Sequence, residues 1–200
     1  MDDDAPTLRE ERRTLALIGL TGAGKSTLGR RLATRLGLPF VDSDREIENA
    51  ARMSIEDLFS AYGEAAFRQG EAKVLARLVD GAPQVLATGG GAVLAAETRA
   101  LLSARAFTIW VRMDIDAIVA RLSAKRARPV LAGGDLSETL RRLAAEREPH
   151  YARADMIFDV DEADAPAVRL AEHLRNRLPW LTEPKCKERP ERRRTPGPPE

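Results

Sequence analysis

One short motif near the start of the chain constrains its fold more than any other feature. Residues 19–26 read GLTGAGKS and match the phosphate-binding pattern G-x-x-x-x-G-K-[ST]. An apolar segment, 14–19, precedes the motif, and a helical pattern, 25–36, follows it. Glycines let backbone N–H groups converge on phosphate oxygens, and the helix N-terminus adds further donors. We therefore expect a nucleotide-binding P-loop in which Lys25 reaches the phosphates and Ser26 ligates Mg²⁺.

Short apolar strands alternate with longer helical patterns along the rest of the chain. This alternation predicts an α/β fold with a parallel sheet covered on both faces. Ligands of such sheets bind beyond the carboxyl ends of the strands, so the site is expected just after Gly19, Val41, Thr88 and Met113. The predicted strands are 14–19, 39–42, 85–88, 107–113 and 156–160. The predicted helices are 25–36, 95–103, 116–122, 137–148 and 165–178. Two further helices are predicted to begin at residue 54 and after residue 63.

Length and charge exclude several classes of protein. The chain has 200 residues, which favours one domain, and 32 basic against 31 acidic residues give a net charge of +1. That balance argues against a nucleic-acid or membrane-surface binder. A single cysteine, Cys186, allows neither an internal disulfide nor a zinc set, and His150 and His173 are isolated. No apolar run is long enough to span a bilayer, and the acidic start is unlike a secretory signal, so we expect a cytoplasmic protein.

Three segments stand apart from the predicted core by composition. Residues 1–13 are predicted to be a charged arm, and 183–200 a disordered tail rich in proline and arginine, leaving a domain over 14–182. The tail is interpreted as a solvated end, with contact to an anionic partner as the alternative. Residues 121–134 carry four cations and end in two glycines, which predicts a mobile lid over a phosphoryl group; the cations are Arg121, Lys125, Arg126 and Arg128.

Two groups of residues follow predicted strands and are candidates for an acceptor site. Asp42 and Asp44 are two residues apart, and an extended backbone would place both on one side, one facing a metal and the other an acceptor. The alternative is that Asp44 only caps the next helix. The three consecutive glycines Gly89, Gly90 and Gly91 would allow a ligand to approach the backbone closely.

Arg68 and Arg147 are further candidates, although their local patterns are common ones. Glu71 lies three residues after Arg68, and such a spacing is typical of a surface ion pair. Arg147 lies at a helix end, where a cation is favourable in any case. From these local patterns alone, the stronger interpretations are a surface ion pair for Arg68 and an ordinary helix-end cation for Arg147.

Taken together, the motifs resemble the shikimate kinase family of small P-loop kinases. The resemblance covers residues 14–178, with the motifs in order at family-like spacing. The P-loop is generic, whereas the combination of the others is specific. The matching segments are GLTGAGKST at 19–27, DSD at 42–44, FRxxE at 67–71, TGGG at 88–91, RPxL at 128–131 and RxPxY at 147–151.

The resemblance implies a three-layer αβα fold of the nucleoside-monophosphate-kinase type, with five parallel strands in the order 2-3-1-4-5. It implies transfer of the γ-phosphoryl group of ATP to the 3-hydroxyl of shikimate, with one Mg²⁺ and no nucleic-acid or membrane partner, in a monomer. The ATP-binding residues carried over are Gly22, Ala23, Gly24, Lys25, Ser26, Thr27, Arg121 and Arg128.

The resemblance also assigns roles at the acceptor site. It implies that Asp44 binds the acceptor hydroxyls and acts as a base, and that Arg68 and Arg147 hold the shikimate carboxylate. Glu71 orients the substrate, and the glycines at 89–91 contact it through the backbone. Lys25, Asp44 and Arg128 form the catalytic set, with Arg121 stacked on adenine. The metal ligands are Ser26 and, through water, Asp42.

The chain departs from the family pattern at three positions. Val130 replaces a leucine in the lid, His150 replaces a leucine before Tyr151, and Asp164 stands where a basic residue is frequent. We therefore carry over no adenine contact at that last loop. The alternatives are another small kinase, acting on gluconate or a nucleoside monophosphate, and a nucleotide-binding module without catalysis.

Overall fold

A computed structural model describes residues 14–124, 135–161 and 165–182. The strands are β1 Thr14–Ile18, β2 Phe40–Asp42, β3 Val85–Ala87, β4 Ala106–Arg112 and β5 Met156–Asp159. The helices are α1 Lys25–Leu36, α2 Ser43–Ala51, α3 Ile55–Val79, α4 Ala96–Arg105, α5 Ile115–Ala124, α6 Leu136–Tyr151 and α7 Pro166–Arg177. Short 3₁₀ turns occupy Ala92–Leu94 and Pro179–Leu181.

The five strands form one parallel sheet in the order β2-β3-β1-β4-β5, as expected. β1 lies at the centre, where Leu15 pairs with Val85 on one side and with Phe107 on the other. All five residues of β1 are buried, which explains why this strand reads as a continuous apolar run. Its carboxyl end therefore delivers the P-loop to the middle of the sheet.

Helices cover both faces of the sheet, which completes the three-layer αβα architecture. α1 packs against α7, whereas α3 packs against α4 and α5 against α6. The chain moves across the sheet in one direction from β1 to β2 and in the opposite direction from β2 to β5. Because crossovers between parallel strands are right-handed, the connecting helices of these two parts lie on opposite faces of the sheet. The fold class predicted from the sequence is confirmed.

Helix α2 departs from the prediction of an extended segment through Asp44. β2 ends at Asp42, and α2 begins at the next residue, so Asp44 lies in a first helical turn. The Asp42 side chain causes the change, because its Oδ1 accepts a hydrogen bond from the Asp44 N–H at 3.2 Å. Asp42 rather than Asp44 is thus the capping residue, and strand geometry does not relate the two carboxylates.

Helix α6 continues beyond the point where the sequence predicts its end. Pro149 lies inside the helix, which runs to Tyr151. A proline so close to the end removes one N–H, and the final turn is still closed by the Ala152 N–H, which donates to the Glu148 carbonyl at 2.8 Å. The extra turn holds Tyr151 in the core.

Helix α3 covers both of the helices that the sequence predicts before and after Gly63, and it is kinked at that residue. Its 25 residues include Gly63 at φ 76° and ψ 171°, which is not helical. At the start of the helix, the Ser54 side chain accepts from the Asp57 N–H at 3.1 Å, as its capping pattern predicts. The second half of α3, after the kink, carries Arg68 and Glu71.

Several predictions concern segments outside the described residues. These are the arm at 1–13, the tail at 183–200, Asp164, and the part of the lid segment at 125–134, including Lys125, Arg126 and Arg128. The beginning of the lid segment, 121–124, forms the last turn of α5. In the part of the chain that the structure describes, no helix is both long and apolar enough to cross a membrane.

Two exposed glycines in α3 provide a matched test of the kink. A Cβ atom added to Gly63 or to Gly70 meets nothing within 4 Å. Gly63→Ala should lower the free energy of unfolding by about 1–3 kcal/mol, because alanine is strained at a φ of +76°. Gly70→Ala should raise it by about 0.5–1 kcal/mol, because Gly70 has ordinary helical geometry. Urea unfolding of both variants measures the difference, and equal effects would contradict a backbone origin of the kink.

Candidate active site

The P-loop connects the end of β1 to the start of α1 and is tied together by its own lysine. The Lys25 side chain is 8% exposed. Its Nζ donates to the Gly19 carbonyl at 2.7 Å and to the Leu20 carbonyl at 2.9 Å. These bonds hold the ammonium group at the mouth of the loop, where the first N–H groups of α1 begin. A negative charge placed there faces both a cation and a helix N-terminus.

Helix α5 covers the P-loop from the other side. Arg121 donates from its NH1 atom to the Gly22 carbonyl at 3.3 Å. A Cβ atom added to Gly22 would lie 2.7 Å from Ile118 Cγ2, and one added to Gly24 would lie 2.6 Å from Arg121 NH1. Arg121 therefore contacts the P-loop. The other predicted ATP-binding residues lie in the P-loop or in the first turn of α1: Gly22, Ala23, Gly24, Lys25, Ser26 and Thr27. Its predicted stacking on adenine stays a prediction.

The start of α2 is joined to the end of β3 by a buried hydroxyl group. Ser43 is fully buried, and its Oγ accepts a hydrogen bond from the Gly89 N–H at 3.1 Å. This bond draws the first turn of α2, which carries Asp44, against the glycine segment. Ser43 had no predicted role, although its position between two acidic residues at a strand end was a usable signal.

The glycine segment 89–91 lies where side chains from three parts of the chain converge. A Cβ atom added to Gly89 would lie 2.6 Å from Asp44 Oδ1 and 3.1 Å from Glu71 Oε1. One added to Gly90 would lie 2.6 Å from Thr21 Oγ1 and 2.9 Å from the Thr21 backbone nitrogen. Only glycine permits such approaches without a shift. The acceptor candidates therefore adjoin the P-loop.

Arg68 and Glu71 form a buried ion pair in this group rather than the surface pair that their spacing suggests. Arg68 NH1 lies 2.7 Å from Glu71 Oε2, and Glu71 is 1% exposed. Burial raises the pKa of Glu71, the hydrogen bond and charge of Arg68 act to lower it, and the nearby Asp44 and Glu64 charges add to the increase. The guanidinium also lies 5.8 Å from the Phe59 ring centre and 5.2 Å from that of Phe67.

Arg147 and Arg68 converge on the hydroxyl group of Tyr151. Burial raises the pKa of Tyr151 to about 12, while the charge of Arg147, a hydrogen bond with it, and the charge of Arg68 act in the opposite direction. The same hydroxyl donates to the Gly90 carbonyl at 2.5 Å. Arg147 thus lies in the same site as Arg68, which the interpretation of a lone helix-end cation did not foresee.

Both arginines retain donors that suit an anion. The Nε atoms of Arg68 and Arg147 are buried and have no hydrogen-bond partner in the part of the chain that the structure describes. A buried donor of this kind carries a desolvation cost that an anionic ligand relieves. Two planar guanidinium groups fit a carboxylate, which accepts hydrogen bonds in pairs.

The side chains near the P-loop also fit a magnesium ion. Mg²⁺ is held in kinases by one or two protein oxygens together with substrate phosphates and water. Ser26 in the first turn of α1 supplies a hydroxyl group. Asp42 supplies a carboxylate that is oriented through Oδ1 by the Asp44 N–H. Among the described residues, no group of three or more acidic, histidine or cysteine side chains forms a metal cage.

Comparison with known proteins places this arrangement in a family. A family model described as Shikimate kinase matches residues 21–178 of the chain. The chain belongs to the shikimate kinase family. The matched residues include the P-loop from Thr21 onward, the DSD segment, the glycine segment and both arginines.

Individual shikimate kinases agree with this assignment. The enzyme of Nitrobacter winogradskyi is 56% identical over 144 residues, which cover 72% of this chain and 67% of the relative. That of Paramagnetospirillum magneticum is 51% identical over 164 residues, covering 81% of this chain and 84% of the relative. The solved structure of shikimate kinase from Acinetobacter baumannii, in complex with shikimate, superposes with a TM-score of 0.75 at 33% identity. It covers 86% of this chain and 95% of the other.

Gly89→Ala tests whether the glycine segment shapes this family's acceptor site. The added methyl group would displace the Asp44 carboxylate. We expect kcat/KM for the acceptor to fall by on the order of 10²-fold, because small misplacements at a reacting centre have effects of that size. Gly70→Ala is the control, since its added Cβ meets nothing within 4 Å, and its activity should stay at the parent level. Steady-state kinetics of both variants check this, and parent-like activity of Gly89→Ala would contradict it.

Proposed function

We propose that this chain transfers the γ-phosphoryl group of ATP to the 3-hydroxyl of shikimate, giving shikimate 3-phosphate and ADP in aromatic amino-acid biosynthesis. The observation that supports this most directly is a pair of half-buried arginines, Arg68 and Arg147, whose buried Nε atoms have no hydrogen-bond partner among the described residues. Shikimate carries one carboxylate and three hydroxyl groups, so two guanidinium groups and one aspartate match its polar groups. The family assignment supports the same chemistry.

The P-loop residues hold the phosphate groups of the donor. Backbone N–H groups from Gly22 to Thr27 face the phosphates, and Lys25 neutralises part of their charge. Mg²⁺, held by Ser26 and through water by Asp42, supplies further charge neutralisation when it is bound. Arg121, already on the P-loop, lies at the adenine side. Arg128 is assigned to the transferring phosphoryl group from the family motif.

The acceptor is held on the opposite side of the transferred group. Arg68 and Arg147 bind the shikimate carboxylate, and Asp44 accepts a hydrogen bond from the hydroxyl that reacts. Glu71 holds Arg68 in position and faces Gly89 on the same side as Asp44. Because phosphoryl transfer passes through a loose transition state, alignment and charge stabilisation matter more than the strength of the base.

The capping bond of α2 gives the two aspartates separate tasks. The Asp42 Oδ1 atom is occupied by the Asp44 N–H, so this carboxylate is fixed at the end of β2. Asp44 instead lies in the first turn of α2, against Gly89. The metal side and the acceptor side therefore receive one carboxylate each. The monomeric state and the cytoplasmic location stay predictions.

A coupled assay of ADP release tests the proposed function. The purified full chain is supplied with ATP, Mg²⁺ and, in separate reactions, shikimate, gluconate, AMP or no acceptor. We expect rapid ADP release with shikimate and only background release in the other reactions. Preferential turnover of gluconate or AMP would overturn the choice of substrate. Background rates in every reaction would favour a binding module instead.

Asp44→Asn separates acceptor activation from nucleotide binding. The amide retains the size of the side chain but loses the negative charge that holds or deprotonates the hydroxyl. We expect kcat to fall by about 10²–10⁴-fold if the carboxylate acts as a general base, with the Kd for ATP unchanged. Isothermal titration with an ATP analogue and steady-state kinetics supply both values. Weaker ATP binding with unchanged kcat would mean that Asp44, not Asp42, serves the metal.

Arg68→Lys tests whether a planar guanidinium reads the carboxylate. An ammonium group keeps the charge but cannot make paired hydrogen bonds, so KM for shikimate should rise by about tenfold or more, while KM for ATP stays constant. Arg105→Lys is the matched control, because Arg105 pairs with Asp80 on the surface. An amide analogue of shikimate should bind the parent far more weakly than shikimate does. Equal binding of the two compounds would show that the protein does not recognise the carboxylate of shikimate.

A further inference from the structure

The phenol group of Tyr151 lies between the two halves of the acceptor site. Tyr151 is 1% exposed, and its ring packs against Trp110 with ring centres 5.8 Å apart. The hydroxyl donates to the Gly90 carbonyl at 2.5 Å, across a sequence separation of 61 residues. The last turn of α6 is thereby joined to the segment that follows β3.

The same hydroxyl oxygen also contacts the carboxylate-binding side of the site. A phenol has a single hydrogen, and here it is directed at the Gly90 carbonyl. The other side of the oxygen is therefore available to the Arg147 side chain, which lies close enough to lower the pKa of the phenol. The Gly90 carbonyl, the phenol and the Arg147 guanidinium are thus neighbours, and polar interactions strengthen one another away from water.

Holding the Gly90 carbonyl also fixes a neighbouring N–H group. The Gly90 C=O and the Gly91 N–H belong to one planar peptide and point in opposite directions. With the carbonyl on Tyr151, the Gly91 N–H points away from the phenol. Among the described residues, no acceptor forms a hydrogen bond with the Gly90 N–H or with the Gly91 N–H. Gly91 also lies directly against the Arg68 guanidinium.

We propose that Tyr151 is a positioning residue that holds the Gly90–Gly91 peptide and the Arg147 guanidinium in one rigid arrangement. Through it, the groups that bind the acceptor's hydroxyls and those that bind its carboxylate keep a constant separation. Tyr151 does not touch the substrate itself. The proposal rests on the proposed function of the site, because it concerns how the acceptor is oriented there.

Tyr151→Phe isolates the hydroxyl group from the ring. The variant keeps the packing against Trp110 and removes the hydrogen bond to Gly90 together with the polar contact to Arg147. Thr98→Val is the matched control: Thr98 is fully buried, and its Oγ1 has no hydrogen-bond partner among the described residues. Both substitutions delete one buried hydroxyl, but only the first is expected to affect the acceptor.

The kinetic result separates positioning from general destabilisation. For Tyr151→Phe we expect kcat/KM for shikimate to fall by about tenfold, the size expected for one hydrogen bond. KM for ATP and the slow hydrolysis of ATP without acceptor should not change. Thr98→Val should match the parent in all three measurements. Parent-like shikimate kinetics in Tyr151→Phe, or parallel losses for ATP and shikimate, would overturn the proposal.

A double-mutant cycle tests the connection through Arg147. If the phenol acts by orienting this guanidinium, Tyr151→Phe should lower kcat/KM much less in an Arg147→Lys background than in the parent. Equal factors in the two backgrounds would show that the two residues act independently and would contradict the proposed arrangement.

A measurement without any acceptor distinguishes this proposal from the choice of substrate. In ¹⁵N-labelled protein free of ligands, the Gly91 amide resonance should shift in Tyr151→Phe, and its hydrogen exchange should become faster. Thr98→Val should leave both unchanged. If the parent fails to phosphorylate shikimate but these amide changes occur, the proposed function fails while the positioning role stands. Unchanged amides would refute the positioning role whatever the substrate.

Discussion

The buried ion pair of Arg68 and Glu71 is the interaction on which the acceptor site depends. Glu71 occupies a core position on α3, in a stripe with Phe67, Leu75 and Val79. A carboxylate buried to this degree is tolerated only with a partner, and Arg68 supplies one at 2.7 Å from the preceding turn. Removing the charge of Arg68 would leave the Glu71 carboxylate buried without its partner, at a cost of about 3–5 kcal/mol.

Around that pair, the glycine segment connects elements that are remote in sequence. Ser43 accepts from the Gly89 N–H, Tyr151 donates to the Gly90 carbonyl, and Gly91 lies against Arg68. One short turn thus collects contacts from α2, α3 and α6. A side chain on any of these glycines would separate elements that the chemistry requires together. The absence of side chains here is a packing requirement as much as a means of access for ligands.

The sequence predicted the fold well because the fold follows from periodic patterns. Alternating strands and helices gave the α/β class, and the P-loop placed the site, while the strand order came from the family resemblance. The error at α2 arose because the extended geometry of β2 was continued to Asp44, although an aspartate at the end of a strand can also cap a helix. A boundary of this kind depends on one side-chain bond, which periodicity does not report.

The convergence of side chains was harder to predict than their identity. Local spacing favoured a surface ion pair for Arg68 and Glu71, and only the resemblance brought Arg147 to the same pocket. The acidic residue within an apolar stripe was a usable signal that the pair is buried. Hydrogen bonds such as that of Tyr151 to Gly90 join residues far apart in the chain and leave no local pattern.

The close approach of Gly90 to Thr21 has a consequence for engineering the acceptor pocket. A Cβ atom on Gly90 would press on the backbone of the P-loop, so the glycine segment and the P-loop are in direct contact. Changing the glycine segment to fit a different acceptor would therefore also distort the P-loop that binds the donor phosphates. Phe59 on α3 instead contacts Phe67 and Arg68, which belong to the same helix. New acceptor specificities are therefore more accessible through α3 than through the glycine segment.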